Sequence, residues 1–334
     1  DYPRRGHKPM SAVELDLSCL QAEALLTGKP EPLVLTYWKR LRRHRLATAS
    51  LIVLIAIILM VVFGPIIMSR MTYHNVTRNE EMYYARDTQD LRNINAAPSL
   101  EHPMGTDELG RDVFYRLLLA GRVSLFIAFT VVILSETFGM FLGAVSGYFG
   151  GKTDSLIQRL TEFVIILPTL PLLLTLSSIL RDLQIPFLPP EWGQAVVIIA
   201  ILTIFGWTGA CRLARGMVLS LRNQEFTEAS RALGMSDRQI ITRHMMPNSL
   251  PPIIVNASLA LGGVIVLESA LSFLGFGIQP PVPTWGNMLQ GVQKDMFTAP
   301  WKALYPGLMI FVTTLAFNYL GDGLRDAIDP RLKL

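Results

Sequence analysis

Three acids stand where a charge is costly. Glu136, Glu162 and Glu268 lie inside or at the edge of long apolar runs. An unpaired charge at the centre of a bilayer costs on the order of 3 kcal/mol or more, so each acid is expected to face a helix bundle, a cavity or an interface. Glu162 sits near the end of its run. Glu136 and Glu268 have two readings, lining of a solute path and polar pairing between helices, and pairing is the simpler. A different chemistry is suggested by Gly147-Tyr148-Phe149-Gly150-Gly151-Lys152-Thr153. A phosphate-binding loop requires four residues between its first Gly and the Gly-Lys-Thr, and the position where that Gly would stand, 146, is Ser. ATP binding by this chain is therefore not expected. The five histidines are scattered, and Cys19 and Cys211 form neither a disulfide framework nor a metal pattern. No nucleophile with its base is visible, so no catalytic residue, metal site or cofactor is expected in this chain.

The segment from Glu225 to Asn248 carries a mechanical signal. It reads as a helix from about Gln224 to Leu233, a stop at Gly234, a cap at Ser236, a second helix from Asp237 to Met245, and a turn at Pro247. Phe226, Ala229 and Leu233, then Ile240, Ile241 and Met245, give each short helix an apolar side. Two such helices at a tight angle form a stiff knob. The blander reading is a helix pair resting on lipid headgroups.

The elements that must hold these residues are membrane helices. Of 334 residues, 51% are apolar and 17% charged. Leu46 to Met68, Phe163 to Leu180, Trp192 to Cys211, Met245 to Leu267 and Ala303 to Gly321 each lack Asp, Glu, Lys and Arg, and Val123 to Gly151 carries only Glu136. Runs of roughly 18 to 23 residues match a hydrocarbon core of about 30 Å, where a helix satisfies its own backbone. An all-α membrane protein with six transmembrane helices follows. Lys39, Arg40, Arg42, Arg43 and Arg45 precede the first run without an acid, which places both termini on the cytoplasmic side. Lys152, Arg159 and the arginines between Arg212 and Arg243 agree with this. The net charge of +4 is accounted for by these loops, and no nucleic-acid face is expected.

The expected organisation is a cytoplasmic tail over 1–45, a first transmembrane helix over 46–68, and an extracytoplasmic connection over 69–121. A five-helix core over 122–327, with the cytoplasmic loop 216–247, and a cytoplasmic tail over 328–334 complete it. The polar stretch before the first run argues against a cleaved signal. Within the tail, Ser11 and Glu14 have capping-box spacing, and Val13, Leu17, Leu20 and Ala24 share a face, so a short amphipathic helix ends near Gly28 and Pro30. In the connection, Thr106 is the expected N-cap of an interfacial helix, with Asp107 and Glu108 in its first turn. Asn75-Val76-Thr77 fits a glycosylation acceptor by chance.

Glu228-Ala229-Ser230, three residues, Gly234, nine residues, His244, one residue, Met246-Pro247 resembles the Glu-Ala-Ala, Gly, Ile, Leu-Pro loop of ABC importer permeases. Ser230 stands for the second Ala, His244 for Ile and Met246 for Leu. Gly105-Thr106-Asp107 with Gly110-Arg111-Asp112, Ser146-Gly147-Tyr148 with Gly150-Gly151 and Asp154, Glu268 to Gly275, Trp285-Gly286, and Gly321 to Asp326 with Asp329-Pro330 are similar to the C-type subunit of the dipeptide and oligopeptide permease family. The matches run in order from about residue 100 to the end; the first 35 residues lie outside them.

The resemblance implies a type I ABC importer permease fold in a bacterial inner membrane. It implies a second permease of similar fold, two ABC ATPase subunits that hold ATP and Mg, an extracytoplasmic peptide-binding protein, and a peptide substrate. By the same token the loop with Glu228, Ala229, Ser230, Gly234, His244 and Pro247 docks on an ATPase. Glu228 is the expected helix-capping or partner-pairing carboxylate, and Gly234 the turn where a side chain would collide. Alternatives are a nickel or other small-solute importer permease, an ion-coupled secondary transporter using Glu136 or Glu268, and a membrane-anchored assembly protein.

Overall fold

The computed structural model describes residues 33–68, 72–74, 81–83, 89–180, 183, 186, 189–293 and 295–328. The helix expected between Ser11 and Ala24, Cys19, the Asn75-Val76-Thr77 triplet and the stretch 329–334 lie outside them.

Helix α1 (Leu33–Arg43) carries Arg40, Arg42 and Arg43 in its last turn and meets α2 (Arg45–Met68), the first spanning helix, at His44. A short antiparallel ribbon, β1 (Thr72–His74) and β2 (Glu81–Tyr83), pairs Tyr73 with Met82. The long helix α3 (Val113–Phe149) follows; its 37 residues rise about 55 Å, so it emerges on both sides of a 30 Å core. Then come α4 (Gly151–Ile166), α5 (Thr169–Leu180), α6 (Pro190–Gly206), α7 (Thr208–Leu221) and α8 (Glu225–Ala232). Next are α9 (Asp237–Ile240), a π-helical turn (Ile241–Met245), α10 (Met246–Phe273), α11 (Trp285–Gly291) and α12 (Trp301–Ile328).

Among the described residues five stretches are long and apolar enough to span a membrane, and α4 with α5, bent by 86°, adds a sixth if the broken pair is one span. The run Phe163 to Leu180, expected as one helix, is thus two. Pro168 disfavours the helical conformation at the residue before it, and Leu167 is extended, with φ −67° and ψ 134°. Helix α3 begins at Val113, so the interfacial helix expected near Thr106 is simply its first turns. Its N-cap is Asp112, whose Oδ1 accepts from the Tyr115 N–H at 2.8 Å. Thr106 instead lies in the preceding loop, where its hydroxyl accepts from Ala96 N–H and donates to the Asn93 carbonyl. Asp107 folds that loop by accepting from the N–H groups of Leu109 and Arg111 and from the Arg111 side chain.

Helices α3 and α7 form the closest pair. Gly139, Gly143 and Gly147 turn one bare stripe of α3 onto α7, where an added Cβ would stand 2.3 Å from the Trp207 oxygen, 2.2 Å from that of Cys211 and 2.8 Å from that of Arg215. Small residues let backbones approach in lipid, where packing rather than water exclusion drives association. Helix α12 packs on α2 and α10, and Arg40 donates to the Ala327 carbonyl, so α1 and the end of α12 meet at one end of the bundle.

Gly143→Val is expected to cost about 1–3 kcal/mol through overpacking and to lower the thermal unfolding midpoint in detergent. Gly307→Ala, whose Cβ meets nothing within 4 Å, leaves that midpoint unchanged or raises it. Equal midpoints for Gly143→Val and the parent would contradict the close α3–α7 contact.

Candidate functional site: the helical knob and the polar ties behind it

The knob is built from one exposed and one buried side. Helix α8 carries Glu225 and Glu228 in its first turn, where the helix dipole favours acids. Glu228 and Ala229 are exposed, Leu233 is 84% exposed and Gly234 is exposed. Thr227 and Ser230 are buried; their hydroxyls donate to the carbonyls of Leu221 and Phe226. Gly234 has φ +77°, and an added Cβ there would meet nothing within 4 Å. The expected collision is therefore absent among the described residues. What demands glycine is the left-handed backbone that reverses the chain.

Ser236 begins the second helix with a full capping box: its hydroxyl accepts from Gln239 N–H, and the Gln239 side chain accepts from Ser236 N–H. Past Ile240 the expected turn at Pro247 does not occur. The π turn and α10 carry the helix straight on into the membrane, with Pro247 in the first turn of α10. Proline removes a hydrogen bond and crowds the carbonyl four residues back. Here the Met246 N–H reaches back to Ile241, and the Asn248 side chain donates to the His244 carbonyl. The wider π turn thereby takes up the strain. His244 is half-buried, its ring 6.2 Å from that of Phe226, and so ties the two arms together.

Three contacts anchor the knob to the bundle. Ile240, Ile241 and Met245 pack with Ala144, Tyr148 and Val218. The Tyr148 hydroxyl donates to Asp237 at 2.6 Å, and the Arg231 guanidinium lies 5.2 Å above the Tyr148 ring. Below, Arg215 grips Asp154 through two bonds of 2.6 and 2.7 Å, while Ser146 donates to the same carboxylate at 2.5 Å. The glycine-rich stretch 147–153 is the joint between α3 and α4, with Gly150 at φ +66° and Gly151 at φ +53°. Sequence reading named Tyr148 and Asp237 only as members of motifs and gave neither them nor Arg231 an anchoring role.

The two central acids tie α3 to α10 at two depths. Glu136 accepts from the Asn256 amide at 2.7 Å and is 5% exposed; its second oxygen has no partner among the described residues. Glu268 is fully buried and accepts from Ser124 at 3.1 Å and Ser272 at 2.8 Å. Ser124 in turn accepts from the Trp285 N–H, and the Trp285 indole donates to the Leu117 carbonyl. Glu268 and Trp285-Gly286, distant in sequence, therefore form one knot. Glu162 is exposed on α4.

The amino-acid sequence matches known proteins along nearly its whole length. Residues 139–334 match the model of the binding-protein-dependent transport system inner membrane component, and 35–98 that of the N-terminal TM domain of oligopeptide transport permease C. The chain belongs to this family of transport-system membrane components. It is 39% identical over 298 residues to a dipeptide transport system permease protein of Alkalihalophilus pseudofirmus, covering 89% of each. It is 35% identical to an oligopeptide transport system permease protein of Bacillus subtilis, covering 90% of this chain and 91% of that one, and 37% identical to a glutathione transport system permease protein of Escherichia coli, covering 89% and 90%. The permease is thus a multi-pass membrane subunit of an ABC importer and not an enzyme, and it works with ATPase and substrate-binding partners.

Tyr148→Phe removes the bond to Asp237 without emptying the ring's site. Amide exchange across 225–245 is expected to rise on the order of tenfold, with exchange in α3 and α10 unaltered. Parental exchange rates in the variant would show that the hydroxyl does not hold the knob.

Proposed function

We propose that this permease forms one half of the path of an ATP-driven importer of short peptides, and that its knob of α8 and α9 receives the work of the ATPase. The observation that carries this reading is the division of the knob. Its inner side is bound to α3 and α7 through Tyr148, Ile240 and Met245, while Glu228, Ala229, Leu233 and Gly234 project from it with no covering element among the described residues. A membrane bundle with no nucleotide chemistry of its own needs such a handle.

Closure of two ATPase subunits then moves α8 and α9 as one body. Because α9 runs without a break through the π turn into α10, the displacement enters the bundle directly. Glu228 pairs with a group on the ATPase, and Gly234 provides the turn that places Leu233 against it. ATP and Mg reside on those partners. A second permease of similar fold completes the path, and an extracytoplasmic binding protein delivers the peptide; the names carried by the relatives support a peptide cargo. The basic end of α1 supports a cytoplasmic location for both termini in a bacterial plasma membrane.

Gly234→Val is expected to abolish peptide-stimulated ATP hydrolysis in the assembled importer while membrane insertion persists. Gly234→Asn, which tolerates the left-handed backbone better, is expected to retain a substantial part. Full stimulation in the valine variant would remove the coupling role.

A further inference from the structure

Between α4 and α7 lies a cleft of about 500 Å3, lined by Gln158, Thr161, Glu162, Ile165, Arg212 and Arg215. Its charges are treated unequally. Arg215 is held by both oxygens of Asp154, the Gln158 amide donates to Ser146, and the Thr161 hydroxyl donates to the Ile157 carbonyl. Glu162 and Arg212 are exposed, and neither has a hydrogen bond or an ion pair, to each other or to another group, among the described residues. Both stand where an apolar run ends, Glu162 just before Phe163 and Arg212 just after Cys211. Opposite charges at that depth would lower their energy by pairing. Here the fixed Asp154–Arg215 clamp and the packed α3–α7 face hold their helices, and the two remain apart across one cavity.

We propose that Arg212 and Glu162 bind the two charged ends of a short peptide on the cytoplasmic half of its path, the guanidinium taking the α-carboxylate and the carboxylate taking the α-ammonium. The proposal rests on the reading of this chain as a peptide permease. A planar guanidinium meets a carboxylate through two parallel hydrogen bonds. The volume lies in the range of small-ligand sites, roughly 300–1,000 Å3. Neither glycine near Arg212 on α7 lines the cleft. Gly209 and Gly216 flank Arg212 on the same exposed face of α7; a Cβ at Gly216 would meet nothing within 4 Å, and one at Gly209 only the Asn256 amide at 3.9 Å.

The test uses the whole importer in vesicles, with its ATPase subunits and a loaded binding protein, and compares uptake of dialanine with that of its C-terminal amide. Taking the ratio of the two in each variant cancels the selectivity of the binding protein. Arg212→Gln is expected to lower the free-to-amide ratio about tenfold against the parent, and Arg212→Lys to recover most of it. Glu162→Gln is expected to lower the ratio of dialanine to its N-acetyl derivative in the same way. An unaltered ratio in both glutamine variants would overturn the proposal, whatever the absolute rates. A role in holding lipid headgroups or the bundle slows free and blocked peptides alike and so gives that same outcome. Absence of dialanine uptake by the parent would instead refute the peptide reading itself.

Discussion

Hydrocarbon offers no hydrogen bond, so the polar side chains that α3 carries into the bilayer call for partners elsewhere in the protein, although one oxygen of Glu136 has none among the described residues. That requirement shapes the bundle. Glu136 and Glu268, a carboxylate from each of the two helices, are joined across the α3–α10 contact by Asn256 and Ser124. Ser124 extends the tie to Trp285 and so locks α11 over the bundle. On its other face α3 presents glycines, and backbone meets backbone along α7. Helix α3 is the axle on which the remaining helices are mounted.

The same helix links the two ends of the molecule. At one end His102 lies 2.9 Å from the Asp112 cap, in a loop whose shape depends on Gly105 at φ +74° and Gly110 at φ +71°. A side chain at Gly110 would stand 1.8 Å from the Asp90 carbonyl, so this loop is a fixed object rather than a tether. At the other end Tyr148 holds the knob. A rigid rod clamped at both ends suits a protein in which motion at one face must reach the other, since packed cores respond as bodies rather than by gradual deformation.

Proline and glycine work here as joints more than as breaks. Pro168 produces the 86° elbow between α4 and α5 because the residue before it must be extended. Pro247, Pro251 and Pro252 crowd the first turns of α10, yet the helix continues, because a π turn precedes them and the Asn248 side chain serves the His244 carbonyl. One residue type thus gives opposite outcomes. The neighbouring hydrogen-bond partners decide between them.

The amino-acid order alone determined five of the spanning helices and the helix, glycine and capped helix of the knob. Each of these follows from local length, charge or dihedral preference. The elbow at Pro168 was legible too, in the preference of the residue before a proline, and the length of the apolar run masked it. Only the tertiary structure decided that Asp112 rather than Thr106 caps α3, since both fit locally and the folding of the loop around Asp107 selects between them. It alone decided that Glu268 meets Ser124 and through it is linked to Trp285, that Gly234 takes a left-handed backbone with open space around it among the described residues, and that Arg212 and Glu162 share a cleft without touching. Those facts depend on which helix faces which, and that is fixed by packing between residues far apart in the chain.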